Sequence, residues 1–150
     1  MNFDSPDERD NSARRRMKKL HDENMKKHGW YAHYVFDDSD SPMGANAHTH
    51  GFEETWKHPD IQIVYPIPGE VAHGIFWTVV GHLKEGKRYE PGKRYAEILE
   101  NYDVMFAWAQ EGGRRVLRMI LPDTANIIER GLISEKFAKQ WEGTEEYPRV

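Results

Sequence analysis

The hydrophobic residues of this chain recur with two different periods, and each period predicts a different kind of element. Between Gly69 and Gly86 apolar residues return every three or four positions, which predicts one long amphipathic helix. Short apolar runs rich in β-branched and aromatic residues predict five strands, which begin near residues 30, 45, 59, 104 and 116. The order of these elements predicts an α+β fold: a single domain with a mixed, mostly antiparallel sheet of about five strands and the long helix packed on one face.

The first 28 residues have a different pattern, because charged side chains dominate and the apolar ones form only one narrow stripe. Ser5 suits the N-cap of a helix and Pro6 its first position. We therefore predict a charged N-terminal helix over residues 1–28, which can lie on a core but cannot build one. Its stripe could also pack on a second copy of the chain, so a homodimer stays open. Residues 29–125 then form the α+β core, and residues 126–150 a C-terminal helix with a polar tail.

Two local features give expectations about packing. Residues 30–36 carry apolar groups on both alternating faces, a pattern typical of a strand in the interior of a sheet. Gly74 and Gly81 lie seven positions apart on one side of the long helix, where each lowers helix propensity by roughly 1 kcal/mol relative to alanine. A close contact with a neighbouring element would explain both glycines.

Composition excludes several classes of protein. The 150 residues include no cysteine, which excludes a disulfide scaffold, a thiolate zinc site and a cysteine nucleophile. The net charge of −4 does not favour nucleic-acid binding, which relies on a surplus of positive charge. No apolar run approaches the ~18 residues of a membrane helix, and the polar N-terminus does not resemble a signal peptide. We therefore expect a soluble, cytoplasmic protein without a membrane partner.

Several short motifs occur in a fixed order along the chain. They are His-Gly-Trp at residues 28–30, His-Thr-His-Gly-Phe at 48–52, His-Pro-Asp-Ile at 58–61, Tyr-Glu-Pro-Gly-Lys-Arg-Tyr at 89–95 and Leu-Pro-Asp at 121–123. With this set, residues 20–125 resemble domain-of-unknown-function family 4262, which is found in bacteria and their phages. The resemblance implies a fold and a set of marked positions, but no activity.

Eight histidines are many for this length, and three of them suggest a metal site. His48 and His50 are two positions apart on a predicted strand, so both side chains point to one face. His58 follows after a short connection and could return over that face. Three imidazoles with an open position can hold a catalytic zinc or another divalent metal, with Asp60 or Glu54 to orient a ligand or act as general base. The alternative is that these residues only build a strand edge and a turn.

The family resemblance bears on these histidines in two ways. The family pattern keeps His58, but it prefers Tyr at the position of His48 and a β-branched residue at that of His50. Those two histidines are therefore features of this member. His33, on the preceding strand, points away from its aromatic neighbours and could lie in a core or in a cleft.

A second candidate site surrounds the Pro91–Gly92 turn. Arg88, Arg94 and Tyr95 could together bind a small anion such as a phosphate or a carboxylate. The alternative is a structural turn whose arginines pair with nearby carboxylates or with the last carbonyl groups of the preceding helix.

Three functions remain open from the sequence. The leading hypothesis is a small binding or interaction protein with a protein partner, an accessory or regulatory module, because no strong catalytic motif is present. The second is a small metal-dependent enzyme that uses His48, His50 and His58. The third is a small-anion or nucleotide sensor that uses Arg88 and Arg94.

Overall fold

The structure describes residues 6–146, with side chains from residue 11 onward, and this part of the chain folds into helices and strands. The structure is a computed structural model. Its elements are α1 (Pro6–His28), β1 (Tyr31–Phe36), β2 (Ala45–His50), α2 (Phe52–Trp56), β3 (Ile61–Ile63), α3 (Gly69–Lys84), β4 (Arg94–Tyr95), β5 (Val104–Glu111), β6 (Arg114–Ile120), α4 (Glu135–Ala138) and a 3-10 helix (Lys139–Trp141). The predicted α+β class is confirmed, whereas the Ser5 cap predicted for α1 lies outside the described residues.

The strands form one sheet in the order β1-β2-β3-β6-β5-β4, and only β3 and β6 pair in parallel among the described strands. The sheet has six strands rather than about five, because the two-residue β4 pairs with β5. The prediction that residues 30–36 form an interior strand is wrong, since β1 lies at the edge of the sheet. Its apolar groups on both faces have two explanations: Ala32 and Tyr34 pack against the core that includes α3, and α1 packs along β1.

Helix α3 covers one face of the sheet and builds the main core with it. Its buried residues are Ala72, Ile75, Phe76, Val79, Val80 and Leu83. They pack with apolar side chains from β3, β5 and β6, including Ile61, Phe106 and Leu117. The expected close contact at the helix glycines is wrong, because a Cβ atom built on Gly74 or Gly81 would meet nothing within 4 Å.

The opposite face of the sheet is divided between a small core and a polar region. The C-terminal segment covers the β5–β6 side through Ile128, Ile133 and Trp141. On the other side, one row of directly paired residues crosses four strands: His33, His48, Gln62 and Arg118. Because directly paired residues point to the same face, this row places two histidines and an arginine side by side.

Gly51 allows the end of β2 to approach the end of α1. Its φ angle is +102°, and an added Cβ would lie 2.6 Å from the carbonyl oxygen of Gly29 and 2.7 Å from Sδ of Met25. Only glycine fits such a position without strain. None of the described helices is both long enough and apolar enough to cross a membrane.

Candidate metal centre

Three histidines on the polar face lie close enough together to hold one metal ion. His33 of β1 and His48 and His50 of β2 each offer a ring nitrogen, and the three nitrogens lie within 4.8 Å of one another. In a tetrahedral zinc site, Zn–N bonds of about 2.0–2.1 Å bring the ligand nitrogens to about 3.4 Å from one another. Modest side-chain rotations would therefore close this cluster around one ion.

A chain of hydrogen bonds fixes the tautomer of His48. The guanidinium group of Arg118 can only donate, and its Nε donates to Oε1 of Gln62 at 2.8 Å. The amide nitrogen of Gln62 then donates to Oδ1 of Asn46 at 3.1 Å, and the same oxygen lies 3.1 Å from Nδ1 of His48. Because that oxygen only accepts, Nδ1 carries the proton and Nε2 keeps its lone pair for a ligand.

The free nitrogen of His48 faces a carboxylate. Nε2 lies 3.4 Å from Oε1 of Glu111, at the end of β5. Burial lowers the pKa of His48 to about 4 and the pKa of His50 to about 4, so both imidazoles are neutral near pH 7. The lone pair on Nε2 of His48 then faces a lone pair on Oε1 of Glu111. A cation between these two atoms would relieve their repulsion.

Arg114 holds Glu111 in place beside the histidines. Its Nε donates to Oε2 of Glu111 at 2.9 Å, its Nη1 to Oδ2 of Asp60 at 2.9 Å and its Nη2 to the carbonyl of Thr49 at 2.7 Å. Nη2 also lies 3.5 Å from Nε2 of His50. The arginine charge is therefore balanced by two carboxylates, and Oε1 of Glu111 stays directed at His48.

A stack of rings connects the cluster to α1. His50 stacks on Tyr31 with 4.8 Å between ring centroids, and Tyr31 stacks on His21 of α1 with 4.0 Å. His21 also contacts His33 edge-on at 5.9 Å. Stacked and edge-on arrangements are the preferred geometries of such ring pairs, so these contacts favour the observed ring orientations. Two of the three histidines are thus held from the side of the N-terminal helix.

The structure groups His33, rather than His58, with His48 and His50. Both ring nitrogens of His58 are bonded within the chain: Nδ1 donates to the carbonyl of Pro59 at 2.7 Å, and Nε2 accepts from the backbone N–H of Tyr89 at 3.1 Å. Burial lowers the pKa of His58, which keeps the ring neutral. In this structure His58 ties the loop after α2 to the segment before β4.

The two carboxylates considered as general bases lie in different surroundings. Asp60 is buried and accepts from the hydroxyl of Thr49 at 2.8 Å, the backbone N–H of Phe52 at 3.1 Å and Arg114. Burial raises the pKa of Asp60 in spite of these bonds. Asp60 therefore ties β2, α2 and the β5–β6 hairpin together, whereas Glu54 lies exposed on α2.

The residues of the candidate anion site already form hydrogen bonds within the chain. Arg94 donates to Asp103 at 3.0 Å, to Glu129 at 2.6 Å and to the carbonyl of Asn126 at 2.6 Å. Arg88 donates to backbone carbonyls, among them that of Trp56 at 2.7 Å. The hydroxyl of Tyr95 accepts from the backbone N–H of Glu90 at 2.8 Å. These contacts are those of a structural turn that joins neighbouring segments.

Sequence reasoning missed two residues of the cluster, His33 as its third histidine and Glu111 as a neighbour of His48. Alternation along β2 is enough to place His48 and His50 on one face. His33 and Glu111 reach that face only through strand pairing, since His33 pairs with His48 and Glu111 with Arg114. The register of distant strands leaves no local pattern in the sequence.

These features define a small α+β protein with a histidine cluster on the polar face of its sheet. The chain belongs to a family without an assigned activity: the family model "Domain of unknown function (DUF4262)" matches residues 24–119. The matched segment begins within α1 and ends within β6, so it includes the three histidines and Glu111. No curated protein and no solved structure gives a significant match.

Proposed function

We propose that this protein is a small metal-binding protein that holds one first-row divalent ion on His33, His48 and His50. The observation that carries the proposal is the position of the three ring nitrogens, which lie within 4.8 Å of one another. The fixed tautomer of His48 supports it, because Nε2 is available as a ligand without any rearrangement of its hydrogen bonds.

The donor set favours zinc and its neighbours over magnesium or calcium. Neutral imidazoles suit Zn²⁺, Co²⁺, Ni²⁺ and Cu²⁺, whereas the alkaline-earth ions prefer oxygen ligands. Three protein nitrogens leave at least one position open for water or another ligand. Glu111 lies beside His48, where it could complete the coordination or accept a proton from bound water. The site therefore supports first the binding of a further ligand to the metal. It supports hydrolytic chemistry only if water takes the open position.

Metal titration of the metal-free protein tests the proposal. Native mass spectrometry should show one Zn²⁺ per chain, and Co²⁺ should give the absorption bands of a tetrahedral nitrogen site. The variants are His33→Ala and the double variant His48→Gln, His50→Gln. His82→Gln serves as the matched control, because His82 lies on α3, where its ring bonds to the hydroxyl of Tyr89.

We expect the double variant to lose at least 100-fold in zinc affinity and His33→Ala to lose at least tenfold, while His82→Gln binds as the wild type does. Stoichiometric zinc in the double variant would place the ion elsewhere. A wild-type chain that binds no ion at micromolar zinc would reject a metal-binding function. If His33→Ala keeps the zinc affinity of the wild type while the double variant loses it, the ligands would be His48, His50 and a residue other than His33.

A further inference from the structure

A cavity of about 400 Å³ lies between α1, the edge strand β1 and α3. The residues around it are mostly aromatic rings, imidazoles and apolar side chains. They include Trp30, Tyr31, Tyr34, His73 and Trp77, with Met17 and Leu20 on the α1 side. Small-molecule sites are commonly concave, mostly apolar and about 300–1,000 Å³ in volume. The size and lining of this cavity match that kind of site.

Hydrogen bonds on α3 determine what Tyr34 can offer to a ligand. The indole N–H of Trp77 donates to Nε2 of His73 at 2.9 Å, so that nitrogen carries no proton in the neutral ring. The proton of His73 is then on Nδ1, which lies 2.7 Å from the hydroxyl oxygen of Tyr34 and donates to it. The hydroxyl proton of Tyr34 is therefore free to be donated to another acceptor.

The lining also has a second donor and, among its described residues, contains no carboxylate, lysine or arginine side chain. The indole N–H of Trp30 is buried and has no hydrogen-bond partner among the described residues. No Asp, Glu, Lys or Arg is among the described residues that line the cavity. Burying an ionised ligand there would leave its charge without a carboxylate, lysine or arginine partner, which is costly. A neutral, flat molecule with a hydrogen-bond acceptor suits both the rings and the donors.

We propose that this cavity binds a neutral aromatic small molecule of one or two rings, whose carbonyl or ring-nitrogen acceptor receives the hydroxyl proton of Tyr34. The rings of Trp30 and Trp77 contact each other edge-on at 5.0 Å and offer the aromatic wall of the site. The inference goes beyond metal binding and does not depend on it. His33 nevertheless lines the cavity and also belongs to the histidine cluster, so the two sites share one wall.

Three probes of similar size separate the contributions to binding. Coumarin is a neutral bicyclic molecule with a carbonyl acceptor, naphthalene lacks the acceptor, and 2-naphthoate adds a negative charge. Binding is followed by the fluorescence of the cavity tryptophans and by NMR of the indole N–H groups, in metal-free protein.

The variants are Tyr34→Phe, which removes only the hydroxyl, and Met17→Trp, which fills the cavity from the exposed side of α1. Tyr102→Phe is the control, because Tyr102 is exposed and not among the lining residues.

We expect coumarin to bind the wild type at least fivefold more tightly than naphthalene and 2-naphthoate, since one net hydrogen bond is worth about fivefold. In Tyr34→Phe coumarin should lose about fivefold and approach naphthalene, and in Met17→Trp all probes should lose affinity. Tyr102→Phe should match the wild type. No binding of any probe at millimolar concentration would overturn the proposal, as would coumarin affinity that Tyr34→Phe and Met17→Trp leave unchanged. Tighter binding of 2-naphthoate than of coumarin would overturn the neutral ligand class.

Discussion

Gln62 helps to determine which nitrogen of His48 can bind a ligand, although Gln62 itself is not a ligand. Together with Asp38, which accepts from Nδ2 of Asn46 at 3.3 Å, it orients the amide that faces His48. It accepts from Arg118 and donates to Asn46, and both bonds depend on an amide that has a donor at one end and an acceptor at the other. Partners behind a ligating histidine commonly change metal affinity by about 10–100-fold when they are mutated. A substitution at Gln62 therefore tests how the orientation of His48 affects metal affinity, while all three histidines stay in place.

Gln62→Glu keeps the shape of the side chain but removes its donor. We expect Arg118 to bind the new carboxylate, while Oδ1 of Asn46 loses its donor from residue 62. Of the bonds to described residues, only the bond from Nδ2 of Asn46 to Asp38 at 3.3 Å then opposes rotation of the Asn46 amide. Zinc affinity should fall about tenfold, with an NMR shift of the His48 ring nitrogens toward a mixture of tautomers. Gln140→Glu provides a control for a buried glutamine outside the cluster. Loss of zinc affinity without any change of the His48 tautomer would contradict this mechanism.

His58 gives the fold a dependence on pH that is separate from metal binding. Its ring must be neutral to accept from the N–H of Tyr89, and its pKa is lowered by burial. A group with a lowered pKa in the folded state binds fewer protons there than in the unfolded chain. The unfolded chain therefore gains protons first as pH falls, and stability decreases from about pH 6.5 downward.

The variant His58→Gln stays neutral throughout this range, so it should show a weaker dependence of stability on pH. Urea unfolding at pH 7.5, 6.5 and 5.5 measures it through tryptophan fluorescence. We expect the slope of unfolding free energy against pH to fall by up to about 1.4 kcal/mol per pH unit between pH 6.5 and 5.5. The other titratable groups are the same in both proteins, so the difference isolates His58. Equal slopes in the two proteins would show that His58 does not titrate differently on folding.

At the scale of single elements, sequence patterns locate α3 and five of the strands well. Each of these depends on a local period, for example the recurrence of apolar residues from Ala72 to Leu83. The patterns give no basis for the edge position of β1 or for the two-residue β4, because strand order depends on contacts between distant segments. Because strand order has no local pattern, the sequence predicted His58, rather than His33, beside the β2 histidines.

The two glycines of α3 lower helix stability without a packing reason in this structure. Gly74 and Gly81 are exposed, and alanine at either position would meet no atom within 4 Å. Gly74→Ala and Gly81→Ala should each raise the free energy of unfolding by about 0.5–1 kcal/mol. Gly51→Ala should lower it by more than about 1 kcal/mol, because Gly51 has a positive φ and meets backbone at 2.6 Å. Destabilisation by either α3 substitution would reveal a contact on that side of the helix.

At the scale of the whole molecule, α1 lies over the exposed edge of the sheet. An uncovered edge strand can pair with another chain, and covering it with a helix prevents such pairing. The contact between α1 and β1 is made by rings, such as the stack of His21 on Tyr31, and not by a broad apolar face. The same contact borders both the histidine cluster and the aromatic cavity. The helix therefore protects the sheet and also forms one side of each proposed site.

Metal binding to β1 and β2 should stabilise the whole fold, because an ion that binds only the native state shifts unfolding toward higher temperature. With free zinc at about 100 times its Kd, this linkage contributes about 2.7 kcal/mol. For a domain of this size the melting temperature should rise by roughly 5–10 °C. Differential scanning calorimetry with Zn²⁺, with Mg²⁺ and with a chelator measures the shift, and Mg²⁺ should leave the melting temperature unchanged. The double variant His48→Gln, His50→Gln should lose the zinc shift while keeping a cooperative transition. An equal zinc shift in wild type and double variant would mean that the stabilising ion binds outside the β1–β2 cluster.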